Sequence, residues 1–369
     1  MKKLSTLTIL ISLVLSSSLL ALPRFALGQK DKCADCHINP TGGIVRNENG
    51  FFFGKNVISM ISPRDEDFKL SPKLSESVLF GFDYRSQYIY SEELKRTDFM
   101  DMSGSVYLSA ALAPNIDVVA KYDFVQRIWE GYGVAKILPN ESYIKAGSFV
   151  PYFGLRLDDH TAYTRGGDYG LLFSKGIAQG LIYNPLYVEA GVELGANISE
   201  NVLFTASVGK PKNHGTFSFD PTYTARLEYS PLIEKIQFTL GGSYASTKTN
   251  MVSRVLNTSL YGGFAGIGYK RFTLMAEYDV AKDFLAADAS SKALMIEAAY
   301  TLMVGLDAVV RYDKLETGLK TGDTKFAHLI LGVEFFPYSF VELRPQYRIN
   351  YACYKKQGSF VLQFHFWYW

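Results

Sequence analysis

From residue 75 to the C-terminus the chain alternates apolar and polar residues with a period of two, in stretch after stretch. Successive side chains of an extended strand point to opposite faces, so the pattern predicts strands with one apolar and one wet face. Val78, Phe80, Phe82, Tyr84, Tyr88 and Tyr90 stand against Asp83, Arg85 and Gln87; Val118, Ala120, Tyr122 and Phe124 stand against Asp117, Lys121, Asp123 and Arg127. In the same way Tyr223, Ala225, Leu227 and Tyr229 oppose Thr222, Thr224, Arg226 and Glu228, and Val341, Leu343, Tyr347, Ile349 and Tyr351 oppose Glu342, Arg344, Gln346, Arg348 and Asn350. The polar faces carry charges of both signs. A sandwich would have to bury them in an apolar core, whereas a closed barrel lines a wet lumen with them.

Segmentation by this alternation and by turn signals predicts sixteen strands, near 75–90, 99–113, 116–127, 128–138, 141–150, 180–196, 201–209, 220–230, 235–248, 257–269, 272–283, 292–303, 304–315, 325–337, 339–352 and 358–369. The fold class is therefore all-β, a transmembrane antiparallel β-barrel of about 16 strands. An even number suits a bacterial outer-membrane barrel, as does the alternation of short links (Pro114-Asn115, Pro139-Asn140, Lys270-Arg271) with longer ones at 91–98, 210–219, 249–256, 284–291 and 316–324. Composition agrees: 25 Tyr, 26 Phe and 3 Trp are many for a chain of mean hydropathy +0.02, and a lipid face with interfacial aromatic girdles uses them. The last residues, Phe364-His365-Phe366-Trp367-Tyr368-Trp369, resemble the aromatic insertion signal of outer-membrane barrels. Beyond residue 22 no apolar run is long enough for a spanning helix, and hydrophobic content of 48% with net charge +2 excludes disorder.

Ahead of the barrel stand two further segments. Residues 1–28 read as a signal peptide, with basic Lys2 and Lys3, apolar Leu7 to Leu22, and a small-residue cleavage site at Ala26-Leu27-Gly28. Residues 29–74 are irregular and contain Cys33-Ala34-Asp35-Cys36-His37, the C-x-x-C-H spacing for covalent attachment of a c-type haem. Two thiols at that spacing reach the two vinyl groups while the adjacent imidazole comes under the iron as axial ligand. A zinc site would need further ligands, and no Cys or His lies between His37 and His160. About 45 residues are too few for an ordinary independent core. Phe51-Phe52-Phe53 and the run from Val57 to Ile61 must therefore lie against a macrocycle or a larger wall, and the segment is a candidate plug of the barrel. The remaining cysteine, Cys353, has no evident partner.

One stretch breaks the hairpin rhythm. Residues 150–168 show no clean period and hold His160 between Arg156 and Arg165, with Tyr152 and Tyr163 beside them; long ordered loops in compact folds are more often functional than idle. The expectation is a loop folded into the lumen that meets the haem, with His160 as sixth ligand and Arg46, Arg156 and Arg165 facing haem propionates. Met60, His328 and His365 are alternative distal ligands, an open coordination site is a further alternative, and His214 is expected in solvent. There is no P-loop, G-x-G-x-x-G or H-E-x-x-H motif and no basic face for nucleic acid.

Signal, single C-x-x-C-H and sixteen-strand barrel together resemble the single-haem cytochrome–porin fusions proposed to pass electrons across bacterial outer membranes, including those linked to Fe(II) oxidation. The stretch Cys33-x-x-Cys36-His37-x-Asn39-Pro40-Thr41-Gly42-Gly43-x-x-Arg46-Asn47-x-x-Gly50, with Pro151-x-x-Gly154-x-Arg156-x-x-Asp159-His160-Thr161, is also similar to haem-tagged barrel proteins of anaerobic bacteria. The resemblance implies one covalent haem c on Cys33, Cys36 and His37 in the outer membrane, with electrons passing between periplasmic cytochromes or other redox carriers and extracellular iron or another donor or acceptor. The alternatives are a solute- or ion-conducting porin with an accessory haem segment, and an enzyme or sensor with an open coordination site.

Overall fold

The structure is a computed structural model, and it describes residues 23–63, 71–157, 161–167, 181, 183, 187–212, 220–251, 254–284, 286–319, 325–352 and 355–368. Its body is one antiparallel sheet of seventeen strands in which each strand, with one exception, pairs with its neighbours in the chain. They are β1 Val78–Ser91, β2 Arg96–Ala113, β3 Ile116–Asp123, β4 Ile128–Ala135, β5 Tyr143–Phe149, β6 Glu189–Ser199, β7 Val202–Pro211, β8 Thr222–Tyr229, β9 Leu232–Ile233, β10 Ile236–Met251, β11 Arg254–Tyr269, β12 Phe272–Lys282, β13 Ser290–Met303, β14 Leu306–Glu316, β15 Lys325–Tyr338, β16 Val341–Ala352 and β17 Lys355–Tyr368. The exception is that β8 and the two-residue β9 do not pair with each other; both pair with β10, so they share one position and the wall has sixteen staves. It closes where β1 meets β17, from Phe82 opposite Tyr368 to Ser91 opposite Ser359. Closure leaves no unpaired edge, as a strand structure in lipid requires. A soluble two-sheet sandwich is excluded by the same pairing.

The alternation sorts the side chains as the sequence predicts. Phe99, Trp129, Tyr223, Leu240, Tyr261 and Phe360 are exposed on the outside, while Asp83, Lys145, Glu193, Glu277, Asp279 and Asp313 are buried inside. An apolar exterior around a charged interior is the transverse pattern of a barrel in the bacterial outer membrane. Tight turns follow β2, β11, β13 and β15, with left-handed backbone at Asn115 (φ 66°), Lys270 (φ 54°), Gly305 (φ 81°) and Phe340 (φ 65°). Both ends of the barrel strand set, Val78 and Tyr368, lie at the same rim as these turns, which marks that rim as periplasmic.

Three details depart from the sequence reading. The predicted strand 180–196 begins only at Glu189, because Leu181, Tyr183 and Tyr187 are buried within the lumen instead of alternating in the wall. The predicted outer loops 91–98 and 249–256 are shorter than expected: half of the first and most of the second is strand, since β1 reaches Ser91, β2 starts at Arg96, β10 reaches Met251 and β11 starts at Arg254.

Inside the wall lie three short helices, α1 Pro23–Gln29, α2 Cys33–Cys36 and α3 Glu48–Asn56. Asn47 caps α3, its side-chain oxygen accepting from Gly50 N at 3.0 Å. Residues of the expected signal peptide, Arg24 and Leu27 of α1, are also buried against the wall. Among the described residues no helix is long and apolar enough to cross a membrane.

Candidate functional site

The plug is built around the C-x-x-C-H turn. Cys33 to Cys36 form one helical turn, and the chain then extends so that His37 bridges Arg46 in antiparallel fashion. His37 is 1% exposed, and its Nδ1 lies 3.2 Å from the carbonyl oxygen of Val45. A carbonyl only accepts, so Nδ1 carries the proton and the metal-binding lone pair belongs to Nε2. Asn47 Nδ2 donates to the Cys36-side backbone at Asp35 O (3.0 Å), Asn47 N donates to Cys36 O (3.0 Å), and Gly50 packs so closely on the Cys36 carbonyl that a Cβ there would collide with it. The Asn47-x-x-Gly50 pair thus holds α3 against the attachment turn. Burial pushes the Cys33 thiol up to about 11 and the Cys36 thiol up to about 12, with the Glu228 charge adding to the first and Asp31 and Asp35 to the second. Both therefore stand as neutral thiols at neutral pH.

The plug is fastened to the wall at the periplasmic rim and at mid-lumen. At the rim, Met60 N donates to Phe336 O (2.9 Å), Ser339 Oγ donates to Lys55 O, and Phe51 stacks on Phe340 with centroids 5.3 Å apart. Deeper, Lys145 on β5 is wholly buried, 2.7 Å from Glu193 Oε1 on β6 and 3.3 Å from Asn39 Oδ1 of the plug. Glu193 also accepts from Tyr143 OH (2.9 Å) and Tyr152 N (3.3 Å), so its charge is compensated from three sides.

The irregular stretch after β5 folds into the lumen. Phe153, Leu155, Thr161, Ala162 and Tyr163 are buried, and their neighbours come from the far wall. Gly154 N donates to Ser243 Oγ (2.9 Å), Arg226 Nε donates to Gly154 O (2.8 Å), Arg311 Nη2 donates to Thr161 Oγ1 (2.8 Å), and Tyr163 stacks on His328 at 4.7 Å. The loop meets the plug through Arg156, whose Nε donates to Thr41 O (3.1 Å) and whose Nη2 donates to Thr41 Oγ1 (3.0 Å). Arg165 is spent on the wall and the loop itself, pairing with Glu277 Oε1 at 2.7 Å and donating to the carbonyls of Phe153 and Leu155. Neither arginine lines the small cavity of His37: Arg156 lines the space faced by Cys33, and Arg165 lines the passage beside β1 to β4. Arg46 does: its guanidinium lies 5.6 Å over the Trp367 ring and lines the same small cavity as His37.

That cavity measures about 50 Å³ and is lined by His37, Arg46, Phe53, Phe336, Trp367 and His365, with Phe25 of α1 on its margin. The alternative ligands now separate. His365 shares the cavity, but its Nε2 is 2.9 Å from Asp83 and its Nδ1 2.8 Å from Glu342, so both ring nitrogens are engaged by carboxylates. His328 pairs with Asn350 and thereby stands level with Gln357, eight residues along β17 from His365, about 26 Å at ~3.3 Å per residue. Its Nε2 is 2.8 Å from Asp313. A histidine so far away is no ligand to a group at His37. Met60 is 41% exposed at the periplasmic rim and does not line the cavity. His160, His214 and Cys353 lie outside the described residues.

The donor set suits a haem: a buried imidazole with a fixed tautomer, two thiols at the attachment spacing, aromatic walls, a guanidinium, and the buried Trp367 Nε1, which has no hydrogen-bond partner among the described residues. Sequence reasoning missed Trp367, reading it only as part of the terminal insertion signal. The alternation held the clue, since His365 was placed inward and Trp367 is two residues on. No cluster of three or more His, Cys, Asp or Glu side chains able to hold a bare metal ion occurs among the described residues.

A second cavity of about 260 Å³ runs between the plug and the wall of β1 to β4, lined by Asp83, Arg85, Lys121, Asp123 and Glu130. A third, of about 660 Å³, opens at the periplasmic rim and is faced by Cys33, Tyr152, Arg226 and Glu228.

No protein-family model matches the chain, and no curated protein does. Solved structures do match by shape. Pseudomonas putida OprB superposes with TM-score 0.58 at 9% identity, covering 79% of this chain and 94% of that one. The outer membrane channel DcaP of Acinetobacter baumannii superposes with TM-score 0.58 at 10% identity, covering 81% and 100%. Salmonella typhi OmpF, solved with daunomycin, gives 0.55 at 9%, covering 79% and 97%. At such identities the likeness is one of fold: this chain is a closed sixteen-stave antiparallel barrel of the outer-membrane porin type.

Proposed function

We propose that this chain is an outer-membrane electron-transfer protein in which a porin-like barrel carries one covalent c-type haem on its plug. The observation that carries this reading is the C-x-x-C-H turn inside the lumen, with Cys36 and His37 buried and His37 Nδ1 held by Val45 O. Haem supplies a one-electron redox couple. Cys33 and Cys36 would tether it, His37 would ligate it, and Arg46 would balance propionate charge. The wall fixes the plug through Lys145, Lys55 and Met60, so the redox centre has a set depth. The hydrocarbon layer is about 30 Å thick, and a centre held within it shortens the span that a periplasmic cytochrome or other carrier, and an extracellular donor or acceptor such as iron, must each bridge.

A second reading is a narrow ion or solute channel with an accessory haem segment. It is favoured by the mixed-sign passage beside the plug and by the porin fold. Outer-membrane fractions of the wild type and of His37→Ala, compared on a haem-stained gel, test the attachment; a stained band is expected only for the wild type. Proteoliposomes enclosing a reductant then separate the two functions. Discharge by an impermeant external oxidant supports electron transfer, while free passage of small solutes with no discharge leaves the channel reading standing alone.

A further inference from the structure

Helix α1 separates two cavities that a covalently held haem would have to share. Phe25 sits between Phe53 (6.5 Å between centroids) and Phe336 (6.3 Å), on the margin of the 50 Å³ cavity faced by His37. On the other side of the same helix Pro23, Ala26 and Leu27 line the 660 Å³ vestibule faced by Cys33. The thiol and the imidazole thus look into different spaces with α1 as the partition. Cofactor pockets are about 300–1,000 Å³, so the space under His37 alone is far too small. The wall behind α1 is recessed for something bulky. A Cβ on Gly266 would stand 2.6 Å from Leu27 Cδ1, and one on Gly268 would collide with the Leu27 carbonyl. Yet α1 coincides with the end of the segment read as a signal peptide, with its small-residue site at Ala26-Leu27-Gly28.

We infer that cleavage after Gly28 joins the space under His37 to the vestibule beside Cys33, that the joined space is the haem site, and that Trp367 Nε1 donates to a haem propionate at the end faced by His37. This rests on the haem reading above and adds where in the lumen the group lies. Arg24 leaves with α1. Of the acids it pairs with, Glu297 and Glu334, the second keeps Arg344 at 3.4 Å. Trp367 and Arg46, which face each other across 5.6 Å, become the pair of donors at the carboxylate end. Both act as positioning residues, and both favour the reduced state, because a donor or a positive charge beside the propionate offsets its field at the iron.

The test uses the mature protein from outer membranes. Intact mass is expected to give a chain beginning at Gln29 with one haem attached. In spectroelectrochemical titration Trp367→Phe is expected to keep its haem and raise the oxidised-to-reduced ratio at a fixed potential about threefold, about 28 mV lower in midpoint at 59 mV per tenfold. Trp129→Phe on the lipid face serves as the control and leaves the midpoint in place. If Trp367→Phe fails to insert, Arg46→Gln reads the same end of the site with the same sign. A mature chain that retains Pro23 to Gly28, or a midpoint unmoved in Trp367→Phe (or in Arg46→Gln where that variant stands in), overturns the inference while the haem remains. A mature chain without haem overturns the electron-transfer reading itself.

Discussion

Replacing Lys145 by Met removes the one cation in a fully buried knot that ties the plug to the wall. Nζ lies 2.7 Å from Glu193 Oε1 and 3.3 Å from Asn39 Oδ1, and both Lys145 and Glu193 are inaccessible to solvent. Removing one partner of a buried pair costs about 3–5 kcal/mol. The lower end applies here, because Tyr143 OH and Tyr152 N still donate to Glu193 and the methionine keeps most of the methylene packing. About 3 kcal/mol corresponds to roughly two orders of magnitude in an equilibrium constant. The β5–β6 wall is held by its own backbone ladder from Tyr143 to Phe149, so the loss is felt in the plug segment docked on Asn39. Hydrogen exchange resolved by residue is the assay: amides between Asn39 and Val45 should exchange up to about a hundredfold faster in Lys145→Met, with barrel strands little changed. Lys145→Met combined with Glu193→Gln should recover much of the protection, since the remaining amide is neutral. Unchanged exchange in the single variant, or a double variant worse than the single, would refute the claim that this pair docks the plug.

Three further outcomes follow from the same geometry. Gly50→Ala places a methyl against the Cys36 carbonyl and should loosen α3 from the attachment turn by about 1–3 kcal/mol, visible as faster proteolysis of the plug in folded barrels. Arg165→Met strands Glu277 and Asp279 in the wall and should release the lumen loop, read as a rise in single-channel conductance across planar bilayers. In chains made without haem attachment, Cys33 should react with iodoacetamide at pH 8 about two orders of magnitude more slowly than an exposed thiol, and Cys36 about three, because burial keeps the thiolate fraction small.

What the sequence determined by itself is whatever repeats locally. Strand alternation depends only on neighbours two apart, so the staves, their lipid and lumen faces, and fifteen of the sixteen predicted segments could be read before any contact was known. The C-x-x-C-H turn is equally local, since five consecutive residues make it up. The misplaced start of β6 shows the limit. Leu181, Tyr183 and Tyr187 are apolar enough for a wall strand, and only the lumen packing around Phe153 and Tyr163 shows why they left it.

Tertiary structure alone decided the partners. Lys145 meets Glu193, 48 residues on, because β5 and β6 pair in one register, and His365 is clamped by Asp83 because the barrel closes β1 on β17. Arg165 pairs with Glu277 across the lumen, while Trp367 lines the same cavity as His37 with its N–H unpartnered among the described residues. The physical reason is that a pattern of period two fixes which face a side chain takes. Closure of the ring and the entry of plug and loop fix which side chains on that face can touch.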